Sequence, residues 1–320
     1  MGNTQIIKHT KQNKHNVIIS ERSHLPGAKF VEMFTFDCGN TVPIYELTSY
    51  HALNQFIGYA KFINKDYGNV YCRGEAHLHK SLYPSLYRDF TNSISKAGEA
   101  INAIINAFLE DSQMINALKL KKLNSKLSYY IIEGMLQHYG VSTRFVDIVD
   151  NHWIALWMGL NKAIEIKQID KYFSYIKREI PFGVNWDNQD VQKELYQYIL
   201  LISVPSLPVS HNGVYSSKEY VMIDLRQALP SYFLRPHAQH GLVVKKRSIN
   251  NTDMSQFDLA DSVVGILKIR IDISNGWLGN GQLLKQDNLF PPPAFDHGYD
   301  LLLQKQNIFR GSKYSIAKYV

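Results

Sequence analysis

The spacing of hydrophobic positions changes along the chain, from alternation near the start to helical periodicity through the middle and strand-like runs toward the end. Phe30-Val31-Glu32-Met33-Phe34-Thr35-Phe36 alternates as a half-buried strand does, and Asp37-Cys38-Gly39-Asn40 turns it. Thr48-Ser49 offers a cap to a helix whose apolar face carries Leu53, Phe56, Ile57, Ala60 and Ile63. Asn69-Val70-Tyr71-Cys72-Arg73-Gly74 reads as a short strand ending at a glycine. Helical periodicity runs from Asp89 to about Asp111 and again from Ser125 through His138, where Gly140, expected at positive φ, stops it. Asp150-Asn151 restarts a helix bearing Trp153, Ile154, Ala155, Leu156, Met158 and Leu160. The stretch from Lys167 to Pro208 reads as helical or irregular, closed by Pro205 and Pro208. Strands follow at Tyr220 to Leu225, Gly241 to Val244 and Val263 to Ile271, and a last helix runs from about Phe295 to Gln306.

Helices in the middle and strands late predict an α+β fold, with a central mixed or antiparallel sheet flanked by helices. Residues 1–30 are expected to form a flexible lead, 31–65 a strand and helix packed on the main domain, 66–310 that domain, and 311–320 a tail.

Composition narrows the class. With 320 residues, 45% hydrophobic and 12% aromatic, the chain has enough apolar surface to bury a core without a partner. Its +7 charge fits a polyanion target, yet with no long basic run it reads first as the charge of an ordinary basic surface. Cys38 and Cys72 are too few for a disulfide framework or a thiolate zinc site. Met1 to Asn16 has no apolar core for a secretory signal, Gly2 lacks the Ser or Thr that acylation needs because Ile6 stands there, and no apolar run reaches ~18 residues. The expected location is cytoplasmic, without membrane association.

Candidate chemistry concentrates in Gln137-His138-Tyr139-Gly140-Val141-Ser142-Thr143-Arg144-Phe145-Val146-Asp147. An amide, an imidazole, a guanidinium and a carboxylate surround one glycine, interleaved with apolar residues that should be buried. Such polar groups need partners or a ligand.

Four pieces of sequence resemble the FRG domain family. Cys72-Arg73-Gly74 matches the naming motif with Cys in place of its aromatic residue, and Leu82-Tyr83-Pro84-Ser85-Leu86-Tyr87-Arg88 is similar to its Leu-x-Pro-Ser-Leu-x-Arg stretch. Gln137 to Asp147 resembles its Gln-His-x-Gly-x-Pro-Thr-Arg-Leu-Leu-Asp core, with Ser142 in place of Pro, and is followed by Ala155-Leu156. Arg235-Pro236-His237-Ala238-Gln239-His240-Gly241 is similar to its Arg-x-x-x-Gln-x-Gly element, and Leu289-Phe290-Pro291 is family-like too. The pieces span roughly residues 66–305 in order. The family recurs in bacterial and phage-related genomes, so the resemblance implies a toxin or a phage-defence effector.

A further likeness is to ADP-ribosyltransferases, in the order Arg73-Gly74, then Asp147 running into Trp153 to Leu156, then Gln239. It implies NAD as the ligand, with Arg73, Gly74, Gln137, Thr143 and Arg144 binding it and Arg73, His138, Asp147 and Gln239 serving catalysis. A guanidinium matches pyrophosphate oxygens, although Arg73 in a structural ion pair is equally consistent. His138 is a candidate general base or a helix-terminal histidine bonding the last carbonyls. Arg144 has the spacing to pair with Asp147 and, as a site residue, to add a phosphate contact. Gln239 can only hydrogen-bond, so a carboxylate must come from Asp147, Glu219 or Asp224, with Asp272 also near the late strands. His77-x-His79 and His237-x-x-His240 have metal-ligand spacing, but short pairs arise readily among twelve His, and no metal is assigned. Trp153 and Trp157 read as core.

Two functional classes follow. One is an ADP-ribosyltransferase or NAD glycohydrolase acting on a protein or nucleic-acid target; the other is a non-catalytic module binding a nucleotide, dinucleotide or nucleic acid. Under both, Arg73, Gln137, Arg144 and Gln239 are expected to converge on one pocket.

Overall fold

A computed structural model describes residues 15–88, 94–167, 171–180, 194–247, 253–310, 312 and 314–319. Strands β1 (Ala28–Thr35) and β2 (Thr41–Leu47) form an antiparallel pair. Helix α1 (Tyr50–Asn64) follows, its first turn capped by the Ser49 hydroxyl, which accepts from the His51 amide at 3.2 Å. Its buried face carries Leu53, Phe56, Ile57, Ala60 and Ile63, the positions the periodicity selects. Next come β3 (Gly68–Glu75), α2 (Ile94–Glu110), α3 (Ser125–His138), β4 (Val146–Val149) and α4 (His152–Leu160). The expected helix start at Asp89 lies outside the described residues.

A hairpin of β5 (Asn161–Lys167) and β6 (Lys171–Lys177) precedes β7 (Tyr196–Pro205). Here the helical or irregular reading of residues 167–208 is corrected. Strand β7 pairs with β3 on one side and a later strand on the other, and Ile199 to Val204 are buried throughout. A strand covered on both faces is apolar without alternation, so its period cannot distinguish it from a buried helix. The elements that follow include β8 (Val209–His211), β9 (Val214–Ser216), β10 (Tyr220–Asp224), α5 (Leu234–Ala238), β11 (Gly241–Lys246), β12 (Val263–Arg270), α6 (His297–Gln304) and β13 (Lys318–Tyr319).

Among the described residues, ten strands join in the order β1-β2-β12-β7-β3-β4-β11-β10-β9-β8, and β13-β6-β5 form a second, small sheet. Pairing in the large sheet is antiparallel apart from β2 with β12, so the chain is α+β with a mixed, largely antiparallel sheet. Strand β1 is an edge and mostly exposed rather than half-buried. Among the described residues no helix is long and apolar enough to cross a membrane.

The middle of this sheet is a seam. Strand β3 pairs with β7 over eight positions and β4 with β11 over four, yet β3 and β4 meet only at Cys72 and Val149. Two separate cores flank the seam. One packs α1 and α4 against Val70, Cys72, Ile199 and Leu201; the other packs α2 and α3 against Val221, Ile223 and Val243. A third apolar layer, around Tyr71, Ile148 and Ile202, covers the opposite face.

Helix α3 is tied across the second core by a buried charge. Glu133, fully buried, accepts from the Arg144 Nε at 2.6 Å, the Arg144 amide at 3.1 Å and the Lys245 Nζ at 2.6 Å. Burial by itself raises the Glu133 pKa, but the two cations outweigh it and hold the carboxyl down at about 2. The Lys245 ammonium, stripped of water and sharing that carboxylate with Arg144, is pushed down to about 8.

Glu133→Gln is expected to destabilise the protein by ~3–5 kcal/mol, because buried Lys245 and partly buried Arg144 lose their counter-charge. Urea denaturation at neutral pH measures it. Because the folded pKa is depressed, the stabilisation is full above the ordinary 4.5 and is lost toward about 2, so the deficit should shrink over that window. At the end of α3, Gly140 has φ +89°, and a Cβ there would lie 2.3 Å from the Ala317 Cβ. Gly140→Val should therefore cost ~1 kcal/mol or more and lower the melting temperature. An unchanged melting temperature would contradict the strain.

Candidate functional site

The seam opens into a cavity of about 440 Å³ between the ends of α3 and α4. Its position follows from close packing at one glycine. A Cβ on Gly74 would lie 1.8 Å from the Ala155 carbonyl oxygen, so only glycine lets α4 lie directly on β3. The Arg73 guanidinium spans the seam. Its Nη1 donates to the Asp147 carbonyl at 2.7 Å, across strands that no longer pair, and its Nε donates to Glu75 at 2.6 Å. Burial works against that charge, but Glu75 and Asp147 raise the Arg73 pKa above its ordinary value.

Asp147 points into the opening, with 39% of its side chain exposed. Gln137 Nε2 donates to its Oδ2 at 2.7 Å, and His138 Nδ1 lies 3.3 Å from Oδ1. Burial favours the protonated acid, but the hydrogen bond and charge of His138, then Arg73 and Gln137, lower the Asp147 pKa. Asp147 is thus ionised near neutral pH and accepts from Nδ1–H. His138 Nε2 is buried with no hydrogen-bond partner, beside Gly241, where a Cβ would lie 2.1 Å away. The imidazole therefore stands behind the carboxylate and orients it.

Thr143, fully buried, donates to Gln137 Oε1 at 2.7 Å and accepts from the Phe145 amide at 3.1 Å, which fixes the way the Gln137 amide faces. Ser85 Oγ also donates to Gln137 Oε1, at 3.5 Å, so the Leu82–Arg88 motif braces the Gln137–Asp147 loop. Gln239 Nε2 donates to the Leu289 carbonyl at 2.8 Å.

Of the residues expected at one site, Arg73, Gly74, Gln137, His138, Asp147 and Gln239 all line this cavity. Thr143 lies behind Gln137. Arg144 is a correction: it pairs with Glu133 instead of Asp147, and lines a different cavity with Tyr129 and Lys245. The reason is the preference of a buried carboxylate for the nearest fork of donors. Of the other carboxylates, Asp224 caps a short helix and is gripped by Arg226, Glu219 is exposed before β10, and Asp272 pairs with Arg270 at the surface. His77 and His79 line a cavity that shares Arg73 and Glu75 with the seam, whereas His240 faces Asp150.

Sequence reasoning missed Glu75. Strand alternation carries the signal, since residues two apart on β3 share a face with Arg73. It also missed the aromatic wall of Tyr175, Phe290 and Tyr319, with Tyr175 and Phe290 stacked at 4.6 Å and Phe290 and Tyr319 tilted at 4.7 Å. Tyr175 comes from a stretch read as helical or irregular. Tyr319 comes from the expected tail, in which Ile316 and Ala317 are buried and β13 pairs with β6.

Residues 68–168 match the family model of the FRG domain. No curated protein and no solved structure matches the chain. The matched stretch supplies Arg73, Gly74, Gln137, His138 and Asp147, while Gln239 and the aromatic wall lie beyond it. Residues 68–168, which carry β3, β4 and most of the polar lining of the seam, match an FRG domain.

Proposed function

We propose that the seam cavity binds a nucleotide or dinucleotide, with NAD as the ligand, and acts at the ribose–nicotinamide bond as an ADP-ribosyltransferase or NAD glycohydrolase. The observation that carries this reading is the meeting of Arg73, Gln137, Asp147 and Gln239 with an aromatic wall in one cavity of about 440 Å³, a volume within the range of small-ligand sites. In it, the free edge of the Arg73 guanidinium takes a phosphate oxygen, the aromatic wall takes a flat ring, and Gln239 orients the ribose through its free amide oxygen. The C–N bond breaks, its electron pair leaves with nicotinamide, and water or a target nucleophile attacks the ribose carbon and gives up its proton to solvent. The ionised Asp147 stabilises the positive charge that develops on the ribose, with Glu75 as a second carboxylate nearby. A cytoplasmic toxin or defence effector would use this chemistry to consume NAD or modify a target.

One observation favours recognition without turnover. Arg73 Nε and Nη1 and the Gln239 amide donor are already engaged by protein partners. A binding module needs only such a braced pocket.

Calorimetric titration of NAD beside an assay of nicotinamide release separates the two. Arg73→Ala should weaken binding by about 30- to 150-fold, the loss of ~2–3 kcal/mol for one charge-assisted contact. Asp147→Asn should bind comparably and release no nicotinamide. Binding without release by the wild type leaves the module; neither binding nor release removes the dinucleotide reading altogether.

The same variant has a pH signature. With its folded pKa depressed, Asp147 contributes stability above the ordinary 3.8 that is lost as pH falls below it. Asp147→Asn should therefore be less stable than wild type near neutral pH, with the difference closing in acid. Denaturation curves across pH check this, and a constant difference would exclude an ionised Asp147 as its source.

A further inference from the structure

Arg235 of α5 is fully buried, yet among the described residues no carboxylate lies against its Nε or Nη2. Its guanidinium carbon lies 4.5 Å from the ring centroids of Tyr139 and Tyr299, 4.6 Å from that of Tyr319 and 5.4 Å from that of Phe290. Nη1 donates to the His138 carbonyl at a long 3.4 Å, while Nε and Nη2 have no hydrogen-bond partner. Neighbouring polar groups are engaged elsewhere. Asp296 accepts from the Tyr139 hydroxyl, the Arg235 backbone amide and the Tyr299 amide, and the Tyr299 hydroxyl donates to the Ala317 carbonyl while its oxygen faces the Arg235 guanidinium as a neutral acceptor only. Ring faces attract a cation but satisfy its N–H groups poorly compared with an oxyanion.

What separates this guanidinium from the seam cavity is a layer of rings. Tyr319 and Phe290 both stack with Arg235 and line the cavity. Tyr319 is carried by a short strap: Ala317 donates to the Tyr139 carbonyl at 3.0 Å and accepts from the Tyr299 hydroxyl at 2.7 Å, the Ile316 carbonyl accepts from Gln306 at 3.3 Å, and Lys318 and Tyr319 pair with Tyr172 and Phe173.

We infer that Arg235 is an occluded oxyanion site, opened to the cavity when the strap Tyr314–Tyr319 swings Tyr319 off the ring stack. Nε and Nη2 then offer a planar fork to a phosphate. This deepens the dinucleotide reading and rests on it for the ligand, since a pyrophosphate carries two groups, one for Arg73 and one for Arg235. The exposed ring and the Arg235 charge exchange a cation–π contact for a charge-assisted hydrogen bond, with no covalent step.

Inorganic pyrophosphate is the probe, titrated calorimetrically into the full chain and its variants. Tyr319→Ala should bind it at least tenfold tighter than wild type, and adding Arg235→Met should abolish the gain. In the wild type, saturating pyrophosphate should speed hydrogen exchange in residues 314–319. No gain in Tyr319→Ala, or a gain that survives Arg235→Met, overturns the inference. If the double variant fails to fold, wild-type exchange decides alone, and unchanged or slower exchange with pyrophosphate overturns it. A pyrophosphate gain in a protein that releases no nicotinamide supports the oxyanion site while the proposed reaction fails; nicotinamide release without the gain does the reverse.

Discussion

The single bridge between Cys72 and Val149 is the constraint on which the rest of the structure depends. Strands that pair over several residues close a sheet; strands joined at one point leave backbone groups that need other partners. Here the Arg73 side chain supplies one, donating to the carbonyl that a neighbouring strand would otherwise have met. The helical layer divides at the same place, α1 and α4 on one side and α2 and α3 on the other, because each packs on a half-sheet with its own apolar surface. The cavity is the space left between the halves, and its lining consists of whatever each half ends with.

Three arginines, two partly buried and one fully buried, show how differently a guanidinium is accommodated. Arg144 has a carboxylate on its inner edge and is bound into the α3 core with Lys245, so it braces the loop before β4. Arg73 is split between a carboxylate and a carbonyl and keeps one edge toward the cavity. Arg235 has rings in place of a counter-ion. The first is a structural cation, the second faces a ligand space, and the third lies one ring's thickness away from that space.

The Gln137–Asp147 loop, dense in polar groups, is now accounted for residue by residue. Thr143 sets the Gln137 amide, Gln137 and His138 set Asp147, and Gly140 turns the chain while leaving room for Ala317. Each buried polar group but His138 Nε2 has a partner, and the carboxylate is left facing outward. Gly241, the last residue of the Arg235–Gly241 motif, leaves the space that the imidazole fills.

What the sequence by itself determined was local. The apolar periodicity of α1, α3 and α4, the Ser49 cap, the glycine stop after α3 and the membership of Arg73, Gln137, His138, Asp147 and Gln239 in short motifs depend on near neighbours and could be read from them. Tertiary structure decided the rest. Strand β7 is a strand because β3 and β12 pair with it on either side, which an apolar run cannot announce. Arg144 turned from Asp147 to Glu133 because a carboxylate eleven residues upstream, brought close by α3 and wholly buried, needed a counter-charge more than an exposed one did. Tyr175 and Tyr319, far apart in the chain, became one wall because β6 and β13 pair, and a contact of that kind exists only once the chain has folded.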